Sequence, residues 1–454
     1  MKYWNETANE RKSMMINMKI AIVGDLQYFE GESIDGIAEE INSLEPDVVI
    51  LLGDYGYWDG FGSYEVFSQI DEAFKKLKCK TFLPLIGNHD VQYEAGGWRF
   101  ERGTVSGNYT RAFGREPENC VLEFELFRIL CFHMDVQEKD DFYYVNECYV
   151  TDEHFVWAKA ELEKEPDKPV IMITHAPPAG CGLLTVPEVH VRASNAYMDQ
   201  DHGLQRWVDL IHDYRQIIMW FNGHYHMGHR HKNSMSVKDG IAFFTTGSAS
   251  SCSRDGQRHT RIVEVQNDII SVSTYDHDSK KNIDEPDYVC QAKIRGKAEE
   301  SSPYKVFMAG CGKVVPNGLK LGKNQMVYAM TDNNYLWEID IEHGIAAGTL
   351  HYSDKYKLDD FALDEKFIWR FCGEEAFGHN YEDINRFMRE KDWEKCQYIE
   401  KKRHEVNVHE ENAFLYKSRI ACRINNDMIC SAFNDEDGCL CFEISKNFEN
   451  ENER

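Results

Sequence analysis

Apolar residues in the N-terminal half of the chain alternate between short unbroken runs and helical spacing. Lys19 to Gly24 is an apolar run ending in Asp25, after which Ile34, Ile37, Ile41 and Leu44 recur at steps of three and four as far as Pro46. The run predicts a strand and the recurrence predicts an amphipathic helix. Val48 to Leu52 repeats the strand pattern and ends in Gly53-Asp54; Phe67, Ile70, Phe74 and Leu77 then predict a second helix before a strand at Thr81 to Leu85. Such βαβαβ alternation calls for an α/β fold with a largely parallel sheet, in which ligands gather where strand carboxyl ends open into loops. The pattern continues with strands near Cys120 to Phe132, Val170 to Thr174 and Gln216 to Phe221, and with helices around Phe155 to Glu163 and Leu204 to His212. Three more strands are expected at Ile241 to Thr246, Arg261 to Val265 and Ile269 to Tyr275.

Beyond Asp276 the periodicity stops. Residues 277–286 cluster Asp, Lys, Ser and Pro286 without apolar spacing, which reads as a linker. Short β-type runs follow, among them Lys305 to Met308, Met326 to Met330, Leu336 to Ile341, Phe367 to Phe371 and Met428 to Phe433. The expected organisation is a polar leader over 1–17, an α/β catalytic domain over 18–276, the linker 277–286, and a β-rich accessory domain over 287–454. One stretch, Gln325 to Tyr352, looks like a single β-propeller blade, without a clear sequence repeat of it.

Charge narrows the partners. The chain has 51 basic and 77 acidic residues in 454, a net of −26, which repels polyanions and makes nucleic acid and anionic membranes poor principal partners. Its longest apolar runs are strand-sized, far below the roughly 20 residues a membrane-spanning helix needs. The leader has no apolar core of a secretory signal, and the 14 cysteines include no CxxC pair, so reduced thiols and a cytoplasmic location are expected.

Five motifs place metal-type ligands along the chain: Gly24-Asp25-Leu26-Gln27, Gly53-Asp54, Gly87-Asn88-His89-Asp90, Thr174-His175 and Gly223-His224-Tyr225-His226. Four of them directly follow an expected strand. Two metals held close together need hard oxygen donors, imidazoles and a shared carboxylate, and this set supplies all three. Glycine ahead of the ligand permits a tight turn and keeps bulk away from substrate. No GxSxG elbow or P-loop competes with this reading.

Order and residue types resemble the calcineurin-like metallophosphoesterase superfamily, over roughly Met18 to Asp276. The resemblance implies a two-sheet sandwich flanked by helices. It also implies that Asp25, Gln27, Asp54 and His226 bind one divalent metal, that Asp54, Asn88, His175 and His224 bind a second, and that Asp54 bridges them. Mn, Fe or Zn would suit such mixed oxygen and nitrogen donors. His89 would face the substrate phosphate, oriented by Asp90, and steady charge or protonate the leaving oxygen. Gln27 stands where most members have His; it is either a weaker ligand or a hydrogen-bond partner of a metal-bound water, and it looks like the branch containing manganese-dependent ADP-ribose/CDP-alcohol diphosphatases. The protein-phosphatase signature is missing its arginine after Asp54.

The implied activity is hydrolysis of phosphoester or phosphoanhydride bonds in a small, nucleotide-like substrate by a metal-bridging hydroxide. Arg99, Arg102, Arg111 and Arg115, in a Gly-rich insertion, and Arg192 and Asn195, between the fourth and fifth motifs, are candidate phosphate contacts. Two rivals stand beside this reading: a non-catalytic metal-binding scaffold of the same fold, and a nuclease of the superfamily.

Overall fold

The computed structural model describes residues 17–28, 34–56, 60–91, 93–94, 97–98, 104–136, 148–183, 186, 189–190, 195–200, 203–283, 285–296, 305–310, 312–322, 326–333, 335–340, 345–351, 360–380, 398–406, 413–416, 418–434 and 440–446. The N-terminal half runs β1 (Asn17–Val23), α1 (Asp35–Ser43), β2 (Val48–Leu51), α2 (Tyr64–Phe74), β3 (Thr81–Pro84), β4 (Tyr93–Glu94), β5 (Gly97–Trp98) and α3 (Thr104–Phe113). It continues with β6 (Cys120–Glu123), β7 (Arg128–Cys131), α4 (Asp152–Lys164), β8 (Val170–Thr174), α5 (Leu204–Asp213), β9 (Ile217–Asn222), β10 (Met235–Lys238), β11 (Ile241–Thr245), β12 (His259–Gln266) and β13 (Ile269–Asp276). Ser63 caps α2 by accepting from the Val66 amide at 3.2 Å, and Thr151 caps α4 by accepting from His154 at the same distance.

Two sheets form. In the first, β12, β1, β2 and β3 lie side by side with β13 beyond β12; in the second the order is β10-β11-β9-β8-β7-β6. The central strands β1, β2 and β3 run parallel, as do β7, β8, β9 and β11, while β12 and β6 pair antiparallel to their neighbours. Pleat alternation explains the layering. Ile20, Ile22, Val48 and Ile50 share a buried cluster with Ile171, Ile173, Met219 and Phe221 of the second sheet, whereas Ala21, Val23, Val49 and Leu51 share another with Ile37 and Ile41 of α1 and Phe67 and Ile70 of α2. Strands covered on both faces have no polar side to show, hence their continuous apolar runs. The result is the α/β two-sheet sandwich with flanking helices that the resemblance implies.

One expectation is corrected. The linker expected at 277–286 contains β14 (Lys281–Asn282), which pairs with β13, and β15 (Tyr288–Gln291) also joins β13, so the first sheet extends past the expected boundary. The Gly-rich insertion after the third motif holds α3, whose Tyr109 hydroxyl donates to Pro84 O at 2.6 Å.

The C-terminal half is β-rich, in three antiparallel sheets. One joins 314–321, 326–331, 335–340 and 345–351; the next joins 360–363, 367–372, 375–380 and 398–402. In the third, strand Lys305–Gly310 pairs with Leu440–Lys446, so the first strand of this half completes the sheet of the last. No described helix is long and apolar enough to cross a membrane.

Candidate metal centre

The five motifs meet at one end of the sandwich. Asp25 follows β1, Asp54 follows β2 and Asn88 follows β3 in the first sheet; His175 follows β8, and His224 and His226 follow β9, in the second. Carboxyl ends of parallel strands from both sheets thus deliver the side chains to a common point. Asp54, His175 and His224 form one group with ligand atoms within 4.8 Å of one another, and Asp25, Asp54 and His226 form another; all five residues are buried and Asp54 belongs to both groups. His175 Nε2 lies 3.2 Å from Asp54 Oδ2 and 3.8 Å from Asp25 Oδ1, and His226 Nε2 lies 3.0 Å from Asp25 Oδ1.

The imidazoles are aimed from behind. His175 Nδ1 donates to Leu52 O at 2.8 Å and His224 Nε2 donates to Asn195 O at 2.7 Å, leaving the opposite ring nitrogen of each as a lone-pair donor. The backbone is equally constrained. Asp54, His224 and His226 all take positive φ, at 56°, 69° and 52°, a conformation that costs a non-glycine residue of order 1 kcal/mol and persists only where surroundings enforce it. Asp90 supplies part of that enforcement: its carboxylate accepts from the amides of Asp54 (2.8 Å), Tyr55 (3.2 Å) and Gly87 (2.9 Å), tying the second motif to the third.

The motif glycines serve a tighter purpose than keeping bulk from substrate. A Cβ on Gly87 would lie 2.2 Å from Asp54 Oδ1, and one on Gly223 would lie 2.6 Å from Asp25 Oδ2. The glycines are where one motif packs against the carboxylate of another.

Orphaned polar atoms supply the fit test for a metal. Asp25 Oδ1, His175 Nε2 and both side-chain polar atoms of Asn88 are buried without a hydrogen-bond partner. A buried donor or acceptor left unpaired costs about 1–3 kcal/mol, and a cation would satisfy the lone pairs of Asp25 Oδ1, His175 Nε2 and Asn88 Oδ1 together. Charge points the same way. Burial alone would raise Asp54, but the charges of His175 and His89 hold it well below the ordinary carboxylate range. Burial opposes protonation of His175 and His226, yet Asp54 carries the first up to about 9 and Asp25 the second to about 10. Burial drives His224 well below 6.5, leaving it neutral. The carboxylates draw in positive charge, and a divalent ion would replace the protons on His175 and His226. The residues fit the group.

Gln27 sits against the same carboxylate, its Nε2 donating to Asp54 Oδ2 at 3.3 Å. Half-buried His89 stacks on Phe61 with ring centroids 4.8 Å apart, and its amide donates to Asp54 Oδ1 at 2.9 Å. Arg111 lies over the Tyr64 ring at 4.1 Å and Arg115 Nη2 donates to Phe82 O at 2.8 Å, so both are engaged with α2 and β3. Asn195 is buried and meets His224 through its backbone. Arg99, Arg102 and Arg192 lie outside the described residues.

Sequence reading missed the segment after β11. Ser248 Oγ donates to Asp25 O at 2.8 Å and Ser250 Oγ to Gln27 O at 2.6 Å, while Arg254 N donates to His226 O at 2.8 Å. It follows a predicted strand, as the motifs do, but its serines are not metal-type ligands and Cys252 stands outside any CxxC pair, so the segment gave no signal. Buried His190, between the fourth and fifth motifs, supports the fifth from behind: its Nε2 donates to His224 O at 3.0 Å.

Residues 18–228 match the model of the calcineurin-like phosphoesterase family. A probable glycerophosphodiester phosphodiesterase of Arcobacter nitrofigilis is 27% identical over 194 residues, which is 41% of this chain and 59% of the relative; the chain thus spans about three fifths of that relative's length. Among solved structures, a purple acid phosphatase from yellow lupin seeds aligns with a TM-score of 0.40 at 13% identity, over 64% of this chain and 58% of that one. A hypothetical protein from Thermus thermophilus aligns with a TM-score of 0.31 at 14% identity, over 61% of this chain and all of that one. The match to the calcineurin-like phosphoesterase family thus spans residues 18–228, the part of the chain that carries Asp25, Gln27, Asp54, Asn88, His175, His224 and His226.

Proposed function

We propose that this protein is a binuclear metal-dependent hydrolase of phosphoester bonds in small molecules, with phosphodiesters favoured over phosphoanhydrides. The observation that carries the reading is the carboxylate of Asp54, common to two buried ligand groups whose other members come from both sheets. The family match and the name of the Arcobacter relative support it. Asp25, Asp54 and His226, with Gln27 beside them, would hold one cation; Asp54, Asn88, His175 and His224 would hold the other. Mn, Fe and Zn all suit these donors. When bound, such a pair supplies Lewis acidity toward phosphoryl oxygens and activates water near neutral pH. The chain's own part is to fix geometry: Leu52 O and Asn195 O orient the imidazoles, and Asp90 holds the turns at Gly87 and Asp54. His89, stacked on Phe61 at the half-buried rim, would place a proton on the leaving oxygen.

Protein stripped with chelator and reloaded with Mn²⁺ tests this against bis(4-nitrophenyl) phosphate. Metal-dependent recovery of hydrolysis is expected. Metal-loaded protein inert toward mono-, di- and pyrophosphate esters would favour the scaffold reading instead, and duplex retardation at low salt would favour the nuclease.

A further inference from the structure

The segment that closes over the metal centre brings a cation with it. Ser248 forms a bridge with Asp25, and Ser248 and Ser250 donate to the backbone of the first motif, so the loop is fastened to β1 before it reaches Arg254. Arg254 is then fixed on the fifth motif. Its amide donates to His226 O at 2.8 Å and its side-chain Nε to Tyr225 O at 3.2 Å. The side chain is exposed, no described residue accepts from its Nη atoms, and it forms no ion pair with a described residue. Several other arginines of this acidic chain form ion pairs: Arg128 with Glu161, Arg206 with Asp199, Arg258 with Asp278 and Arg261 with Asp287. Partial burial lowers the Arg254 pKa while the charges of Asp25 and Asp54 oppose that, which sets its guanidinium beside both carboxylates.

We propose that Arg254 is the phosphate-anchoring residue of this site, its guanidinium fork taking non-bridging oxygens of a phosphodiester or phosphate anion held over the metal ligands. This deepens the hydrolase reading above and names the recognised chemistry, an anion with at least two free oxygens. Two divalent ions would outweigh the charge of Asp25 and Asp54, so a nearby guanidinium completes a pocket for a negative group rather than a pair with the protein's own carboxylates. Arginine suits this better than lysine, because its planar fork meets two oxygens at once and stays charged at any working pH. Arg111 and Arg115, expected from sequence for this task, are engaged elsewhere.

The test uses the full chain loaded with Mn²⁺, in wild type, Arg254→Met and Arg254→Lys forms. Calorimetry measures inorganic phosphate binding and, separately, Mn²⁺ binding; kinetics on bis(4-nitrophenyl) phosphate give KM and kcat. Arg254→Met is expected to weaken phosphate binding by about ten- to a hundredfold and to raise KM more than it lowers kcat, with Mn²⁺ affinity held within about twofold and Arg254→Lys recovering part of the loss. Unchanged phosphate affinity in Arg254→Met overturns the proposal. So does a parallel fall in Mn²⁺ affinity, which would make Arg254 a staple of the fifth motif. A wild type that binds phosphate through Arg254 but hydrolyses nothing would sink the hydrolase reading and leave the anchoring role supported.

Discussion

Replacing Gly87 with alanine puts a methyl carbon 2.2 Å from Asp54 Oδ1, 2.7 Å from Asp54 N and 2.8 Å from His175 Cε1. Ordinary contact begins at 3.4 Å, so the carboxylate must retreat by about 1.2 Å or the turn must open. Neither is easy. Asp54 Oδ1 accepts from His89 N at 2.9 Å, and the Asp54 and Gly87 amides share Asp90 Oδ2. A displacement of about 1 Å at a catalytic centre costs on the order of a hundredfold in rate, and overpacking costs about 1–3 kcal/mol of stability. Gly87→Ala should therefore lose Mn²⁺ affinity by at least about tenfold and metal-dependent hydrolysis by about a hundredfold, measured by calorimetry and initial rates. Gly36→Ala and Gly107→Ala are the controls: an added Cβ meets nothing within 4 Å at either helical position, so both should bind metal normally and gain roughly 0.5–1 kcal/mol of stability. Wild-type Mn²⁺ affinity in Gly87→Ala would refute the reasoning that the third motif packs directly on Asp54.

Three further outcomes are expected. His89→Asn should lower turnover while leaving metal stoichiometry intact, because its ring stacks on Phe61 outside both ligand groups; metal loss by elemental analysis would remove it from that role. Arg128→Met should cost about 1–3 kcal/mol in urea unfolding, since Arg128, with its side chain only 3% exposed, donates to both the carboxylate and the carbonyl of Glu161, and Lys164 is left as the carboxylate's remaining cation; an unchanged stability would contradict this. His133 is buried and accepts from Ile86 N through Nδ1, and burial pushes its pKa down to about 3. The unfolded chain therefore binds a proton between about pH 6.5 and 3 that the folded chain refuses, so stability is full above that window and declines as pH falls through it, by an upper bound of roughly 5 kcal/mol from this group. His133→Gln should flatten that slope in unfolding measured across the window, and an unchanged slope would rule the assignment out.

How far the molecule was legible in the sequence depends on the kind of signal each part left. Strands β1, β2, β8 and β9 are buried on both faces, so they wrote continuous apolar runs, and the Asp or His just past each run marked the strand ends that converge. The extension of the first sheet left no such mark: β14 is two exposed residues, and β15 is a four-residue edge strand of which Tyr288 and Cys290 turn toward the core, too short an alternation to stand out. Helix α3 was hidden by Gly107 and by the polar residues of its outer side, and its anchor, Tyr109, reads as helical only once its contact with Pro84 is seen. Asp90 was recognised as part of a motif, but its bonds to three backbone amides are a matter of two turns meeting in space, which spacing along one chain does not encode. The serines fastening 248–254 to β1 act through hydroxyls on distant carbonyls and were silent for the same reason.

The claim on which the rest depends is that Asp54 is shared by two cation sites. Anomalous diffraction from crystals of the full chain grown with Mn²⁺ tests it directly. Two peaks are predicted, one among Asp54, His175 and His224 and one among Asp25, Asp54 and His226, with the carboxylate of Asp54 touching both. A single peak, or a pair in which Asp54 reaches only one ion, would contradict the account.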